Sequence, residues 1–171
     1  EWIAAAEILQ YDTNQRILDL MCMKIGLDGS KKNNQEILRN LLKLMMDNES
    51  DFTITFRSLS DILLNNSDNF LAQFHQKNEV SGWINNWKSA LNLENKNVGE
   101  IISNLNNTNP MYIPRNHQVQ RAIEESYLGN LKFLEEMLEV LKNPFQENVS
   151  LSHYSEAPSE QQRVRQTFCG T

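Results

Sequence analysis

Residues 109–130 read NPMYIPRNHQVQRAIEESYLGN, and this stretch predicts a rigid entry followed by an amphipathic helix with a marked end. Pro114 fixes φ and lacks an N–H, so we expect it to be the first helical residue. Gly129 is expected to end the helix in the left-handed conformation. Apolar side chains recur between these two points at helical spacing, at Val119, Ala122, Ile123 and Tyr127.

A second helix is expected directly after this turn. Asn130 has the side chain of an N-cap residue. Leucines then repeat the helical period, at Leu131, Leu134, Leu138 and Leu141. The stretch therefore predicts a helical hairpin, two helices joined by a turn of a few residues.

The sequence before this hairpin also shows helical periodicity. Helices are expected around residues 1–26, 34–47, 51–63, 70–74, 83–91 and 98–105. Gly26 is a suitable end for the first of them and Asp51 a suitable N-cap for the third. No segment of useful length alternates apolar and polar residues. We therefore predict an all-α fold, a multi-helix orthogonal bundle with an irregular C-terminal tail.

The tail differs from the rest of the chain in composition. It follows Pro144, contains Pro158 and several serines, and has few large apolar residues. Such segments form little helix, and they either lie across a neighbouring surface or remain disordered. The sequence thus predicts a helical domain at residues 1–144 and an extended tail at residues 145–171, which carries Cys169.

Length and charge restrict the function. The 171 residues suit one compact domain, and 16 basic against 22 acidic residues give a net charge of −6. This balance argues against a nucleic-acid partner or an acidic membrane surface, since both need clustered Lys and Arg. No apolar run approaches the roughly 20 residues of a membrane span. Two cysteines form no disulfide scaffold, so a reducing compartment is expected.

Few residues have the spacing of a reactive site. His75, His117 and His153 are far apart, and none has Cys or paired carboxylates at metal-ligand spacing, so we predict no metal site. Trp83 and Trp87 are four residues apart, which is typical of core packing and also of an exposed aromatic ridge that docks on another domain. Core packing is the favoured interpretation.

The two cysteines differ in their surroundings. Cys22 lies in an apolar helical stretch, where packing is its expected role. Cys169 stands among the last three residues, in a segment without a core of its own. Access therefore makes Cys169 the more reactive thiol. A Cys22–Cys169 disulfide is disfavoured, because Cys22 is expected to face the core.

Several short strings of the chain resemble the C-terminal region of the selenoprotein O family and keep the family's order. They are Met23-Lys24-Ile25-Gly26-Leu27, residues 51–59, residues 109–130 with the leucine-rich helix after them, Asn143-Pro144-Phe145 and Thr167-Phe168-Cys169-Gly170-Thr171. This family resembles protein kinases in fold, and its members are protein adenylyltransferases. The resemblance spans most of the chain but covers only the family's C-terminal region.

The resemblance implies that the chain is the helical and regulatory part of an enzyme that transfers AMP from ATP to protein hydroxyls. In the family, ATP with Mg²⁺ or Mn²⁺ binds to a kinase-like part that precedes this region. Kinase chemistry needs a Gly-rich loop and magnesium ligands, yet the sequence has no Gly-x-Gly, His-Arg-Asp or Asp-Phe-Gly. We therefore expect a chain that begins at Glu1 to be a cut part of a longer enzyme, with no catalytic residue and no cofactor of its own.

The same resemblance suggests partners. They are the kinase-like domain of the parent and the parent's protein substrates. Arg115 and Asn116 have two interpretations: they tie the helix start to loop carbonyls, which we favour, or they form, with Asn109 and Pro110, a docking surface for that domain. An apolar face left exposed by the missing domain would also favour a homodimer.

Cys169 matches the redox-active C-terminal cysteine of the family. There, this residue is implicated in a regulatory disulfide with a cysteine on the activation segment of the kinase-like domain. No second cysteine follows Cys169 here. A redox role is therefore expected of the parent protein and not of this chain alone.

A function of another class stays open, a free-standing, non-enzymatic helical module that binds partners through an exposed apolar face. An upstream reading frame with Gly-rich and magnesium-ligand motifs would favour the adenylyltransferase. A translation start near Glu1 would favour the module. The expected location is the cytoplasm, or the mitochondrion if the parent is eukaryotic.

Overall fold

The computed structural model describes the backbone of residues 2–163 and the side chains of residue 10 and residues 12–163. This range contains helices and no β-strand, so the all-α prediction is confirmed. Contacts between Cα atoms divide the chain into two compact units, Glu1–Asn109 (unit 1) and Pro110–Thr171 (unit 2). The division thus falls just before the helical hairpin, earlier than the boundary that composition suggested after residue 144.

Unit 1 contains seven α-helices within the described residues. They are α1 (Trp2–Lys24), α2 (Lys32–Asp47), α3 (Phe52–Arg57), α4 (Leu59–Leu63), α5 (Asp68–Leu71), α6 (Lys77–Leu91) and α7 (Val98–Thr108). A single 3₁₀ turn at Leu93–Asn95 joins the last two.

Local signals explain several of these helix ends. The Asp51 carboxylate accepts the Ile54 N–H at 2.8 Å, as predicted for an N-cap. Gly26, two residues after the end of α1, has a φ of +71°. The helix predicted from Asp51 to Leu63 is interrupted at Ser58, so that prediction was wrong about its continuity. The Ser58 hydroxyl donates to the Ile54 carbonyl at 2.8 Å and competes with the main chain for helical acceptors.

The core of unit 1 is organised around the two tryptophans of α6. Their rings stack at 5.6 Å between centroids, and Phe70 stacks on Trp83 at 5.8 Å. The Trp83 indole N–H donates to the Ile37 carbonyl at 2.9 Å, and that of Trp87 donates to the Ile25 carbonyl at 2.8 Å. Both tryptophans are buried, so their favoured interpretation as core residues is confirmed. Cys22 is also fully buried in this cluster.

Unit 2 is built on the predicted hairpin, α8 (Asn116–Tyr127) and α9 (Lys132–Lys142). Gly129, in the turn, has the expected positive φ of +81°. Pro114 is not the first helical residue as predicted, because Arg115 takes the N-cap position and α8 begins one residue later. Asn130 is not the N-cap of α9 either; it lies one residue before that position, although its side chain accepts the Lys132 N–H at 3.2 Å.

The described part of the predicted tail packs within unit 2. It forms 3₁₀ helices at Val149–Ser155 and Glu160–Gln162. Tyr154 is buried beside Phe133, with 5.0 Å between ring centroids. The unit's buried core consists of Tyr112, Ala122, Phe133, Met137, Val140 and Tyr154. Tyr154 of the tail therefore joins the core, which is why the described part of the tail groups with the hairpin.

We expect Gly26→Ala to lower the free energy of unfolding by about 1–2 kcal/mol, because alanine is strained in the left-handed conformation. Its Cβ would also approach Leu91 Cδ2 to 3.3 Å. Gly82→Ala is the control: in the interior of α6 a Cβ meets no atom within 4 Å, so this change should stabilise by up to about 1 kcal/mol. Urea unfolding followed by circular dichroism checks both. If both substitutions changed the free energy of unfolding in the same direction, the left-handed conformation assigned to Gly26 would be contradicted.

Candidate functional site

The predicted site residue Asn109 lies at the end of α7 and is 1% exposed. Its side-chain amide donates to the Lys24 carbonyl at the end of α1, at 2.8 Å. Its own carbonyl accepts the Arg57 guanidinium at 3.1 Å, and the same nitrogen donates to the Asn106 carbonyl at 2.9 Å. Asn109 therefore joins the ends of two helices to Arg57 within unit 1.

The residues after Pro110 hold the beginning of the tail. The backbone N–H groups of Met111 and Tyr112 both donate to the Pro144 carbonyl, at 2.7 and 3.1 Å. The Tyr112 hydroxyl donates to the Asn148 carbonyl at 3.2 Å and accepts the Asn148 N–H at 3.0 Å. These bonds pair backbone N–H and C=O groups of an irregular segment, groups that a regular helix would pair within itself.

Arg115 and Gln118 hold the 3₁₀ helix that follows. The buried Arg115 guanidinium donates to the Ser155 carbonyl at 3.1 Å. The Gln118 amide donates to the carbonyls of His153 and Tyr154, at 3.3 and 3.0 Å. Arg115 thus donates to the last carbonyl of this 3₁₀ helix, and its role as a tie to loop carbonyls stays a prediction. Asn116, the other residue of that pair, is exposed at the first position of α8.

Two buried amides in these networks are held through their N–H groups alone. The side-chain oxygens of Asn109 and Gln118 are buried and have no hydrogen-bond partner among the described residues. A buried acceptor left in this way costs about 1–3 kcal/mol. Each amide must therefore be fixed by the carbonyls to which it donates.

Two ionisable groups of unit 2 are shifted by their surroundings. Burial, followed by the charge of Arg115, lowers the pKa of His117, so its neutral form is favoured. Burial and a hydrogen bond with Glu136 raise the pKa of Tyr154 to about 12. The Tyr154 hydroxyl lies 3.1 Å from the Phe133 carbonyl and 3.2 Å from the Glu136 carboxylate.

Cys169, the predicted redox residue, lies outside the described residues. Cys22 is described, and burial raises the pKa of its thiol. This shift opposes formation of the thiolate, the reactive form. Within residues 2–163, therefore, the described cysteine is a packing residue.

Sequence reasoning missed the polar residues that complete the unit 2 network. Tyr112, Gln118 and Tyr154 were not selected, although each is at most 5% exposed. A tyrosine in a polar tail was an available signal, since a buried ring with a bonded hydroxyl is a common use of this residue. The partner carbonyls carry no signal of this kind, because any residue type can supply them.

Unit 2 also has an apolar groove of about 360 Å³ between α8 and α9. Its lining is Val119, Ala122, Ile123, Ser126, Tyr127, Leu134 and Met137. No three His, Cys, Asp or Glu side chains in the described part of the chain are placed to hold a metal ion. None of the described helices combines the length and apolarity that crossing a bilayer requires.

Comparison with known proteins identifies the family. Proteins named protein nucleotidyltransferase YdiU are similar to the chain. The protein from Rhizobium johnstonii is 34% identical over 154 residues, which cover 88% of this chain and 31% of that protein. The protein from Nitrobacter winogradskyi is 32% identical over 172 residues, covering 98% of the chain and 34% of the relative. That from Clostridium perfringens is 35% identical over 151 residues, covering 88% and 30%.

The relatives are thus nucleotidyltransferases by name. Residues 5–142 match the family model described as protein adenylyltransferase SelO. The chain belongs to the SelO family, which confirms the resemblance seen in the sequence. It spans about a third of the length of the curated relatives it matches.

Tyr112→Phe should lower the free energy of unfolding by about 1–2 kcal/mol, because it removes a hydroxyl that serves both backbone groups of Asn148. Tyr127→Phe is the matched control, since Tyr127 is 87% exposed and its change should have almost no effect. Urea unfolding followed by far-ultraviolet circular dichroism gives both values. Indistinguishable variants would show that the Tyr112 bonds add nothing.

Tyr154 should make stability depend on alkaline pH. Its pKa in the folded protein, about 12, lies above the ordinary value of 10, so its contribution is complete below pH 10 and is lost as the pH rises towards 12. The difference in unfolding free energy between wild type and Tyr154→Phe should therefore shrink over this interval. A difference that stays constant would show that Tyr154 ionises equally in both states.

Proposed function

We propose that this chain is the C-terminal helical part of a SelO-family protein adenylyltransferase, an enzyme that transfers AMP from ATP to protein hydroxyls. The observation that carries the proposal is the family match over residues 5–142 in a chain that spans 31% of its Rhizobium relative. A chain that corresponds to about a third of such an enzyme would depend on the rest of the parent protein for catalysis. The expected location is the cytoplasm, or the mitochondrion in a eukaryote.

The described residues do not fit the ATP and Mg²⁺ or Mn²⁺ that the family implies. No group of three potential metal ligands converges among them, and the sequence has none of the Gly-x-Gly pairs found in phosphate-covering loops. We propose that the kinase-like remainder of the parent binds both. No step of AMP transfer is therefore assigned to residues of this chain.

The proposed role of the chain is to support the kinase-like part and to regulate it. The helix ends joined by Asn109 and the network around Arg115 favour a firm support, because their polar groups hold segments distant in sequence. Cys169 is proposed as the redox-sensitive residue, through a disulfide with a cysteine of the activation segment. The other partners are protein substrates with Ser, Thr or Tyr hydroxyls.

The nucleotide proposal can be tested by thermal unfolding with ATP and Mg²⁺ or Mn²⁺. The midpoint of the isolated chain should not move, whereas the complete parent protein should be stabilised, because a ligand stabilises only the folded state that binds it. Mass spectrometry should then show AMP on protein substrates incubated with the complete parent protein, and none on substrates incubated with the isolated chain. A shift in the isolated chain, or a parent that transfers no AMP, would contradict the proposal.

The redox proposal needs a separate variant. Cys169→Ser in the complete parent should remove the response of AMP transfer to reductant, while Cys22→Ala, which changes a buried thiol, should preserve that response. Transfer rates with and without dithiothreitol give the comparison. An unaltered response in Cys169→Ser would exclude Cys169 as the sensor.

A further inference from the structure

One side of α1 is apolar without being covered by unit 1. Ile17, Leu20 and Met23 are 52%, 55% and 54% exposed, and Phe52, at the start of α3, is 47% exposed. The other side of the helix packs into the core through Leu18, Met21 and Cys22. The last two turns of α1, residues 17–24, thus carry apolar side chains on both sides, as is typical of a helical segment buried between two layers.

Lys24 adds a charge at the end of this exposed stripe. Its ammonium lies 5.8 and 5.4 Å from the ring centroids of Phe52 and Phe56. Burial lowers its pKa, and no carboxylate within residues 12–163 forms an ion pair with it. The surface made by Ile17, Leu20, Met23, Lys24 and Phe52, here called the α1 surface, is therefore complementary to apolar side chains with a nearby carboxylate.

We propose that the catalytic part of the parent protein packs on the α1 surface. Apolar side chains of that part cover the stripe, and one of its Asp or Glu residues pairs with Lys24. This inference rests on the proposed function. Its first support is size, because the chain spans only 31% of its Rhizobium relative and most of such a protein must pack against something. Its second support is the uncompensated charge at Lys24.

The charge of Lys24 argues against two other occupants of the α1 surface, a second copy of the chain and residues 164–171. In a second copy packed antiparallel about Leu20, Lys24 of one chain would face Arg16 of the other, and like charges oppose association. Residues 164–171 read VRQTFCGT, with Arg165 and no Asp or Glu, so they supply no carboxylate side chain. An acidic, apolar surface from the rest of the parent has the required chemistry.

Hydrogen exchange in the isolated chain and in the complete parent tests this surface. Amides of residues 17–24 should exchange more slowly in the parent. Leu20→Asp in the parent should speed their exchange about tenfold, the effect of losing one central interface contact. Leu138→Asp is the matched control, a leucine of α9 that is 50% exposed, and it should leave residues 17–24 unchanged.

A second variant protects the test against simple unfolding. Circular dichroism of the isolated Leu20→Asp and Leu138→Asp variants should show an unchanged melting midpoint. Lys24→Glu in the parent should also speed exchange at residues 17–24, because it turns the proposed ion pair into repulsion. Equal exchange at residues 17–24 in the isolated chain and the parent would overturn the inference. So would dimers of the isolated chain that Leu20→Asp dissociates, or faster exchange there after deletion of residues 164–171.

Measuring AMP transfer by the same samples of the parent distinguishes a failure of this inference from a failure of the proposed function. An active parent in which residues 17–24 exchange as fast as in the isolated chain excludes the α1 surface and keeps the function. A parent that protects these residues and transfers no AMP keeps the surface and excludes the function.

Discussion

Helices that end inside a protein leave carbonyl oxygens without helical partners, and both units depend on long side chains that donate to such oxygens. In unit 1 the Trp87 indole reaches the Ile25 carbonyl and the Asn109 amide reaches that of Lys24. In unit 2 Arg115 and Gln118 serve the carbonyls of the 3₁₀ helix. Because a buried unpaired carbonyl is costly, these donors fix where each segment can end.

This requirement explains why unit 2 can include an irregular segment. Residues 144–155 have little regular helix to pair their backbone groups, and the hairpin supplies the donors instead. Tyr112, Arg115 and Gln118 stand before and at the start of α8, so one short stretch serves several carbonyls. The rigid entry predicted around Pro114 thus has a partner in the tail that the sequence alone did not suggest.

Features that depend on neighbours in sequence were predictable. The Asp51 cap, the positive φ values at Gly26 and Gly129 and the burial of the two tryptophans each follow from a local pattern. The break at Ser58 and the true first residue of α8 were missed, because each is decided by competition between similar local hydrogen bonds. Helix existence is therefore easier to predict than helix limits.

The candidate site was predictable in its residues but not in its partners. Arg115 and Asn109 were selected from the sequence, yet the carbonyls that they contact lie 40 and 85 residues away. No periodicity relates positions so far apart, and a carbonyl carries no residue identity. The packing of Tyr154 was hidden for the same reason, since its partners lie on α9.

The placement of the aromatic residues has a spectroscopic consequence. All three tryptophans of the chain, at positions 2, 83 and 87, belong to unit 1, while unit 2 contains tyrosine and phenylalanine but no tryptophan. Intrinsic indole emission therefore reports on one unit, whereas the amide signal averages over both. Transitions that fail to coincide between these two probes would reveal that the units melt separately, without any added dye or label.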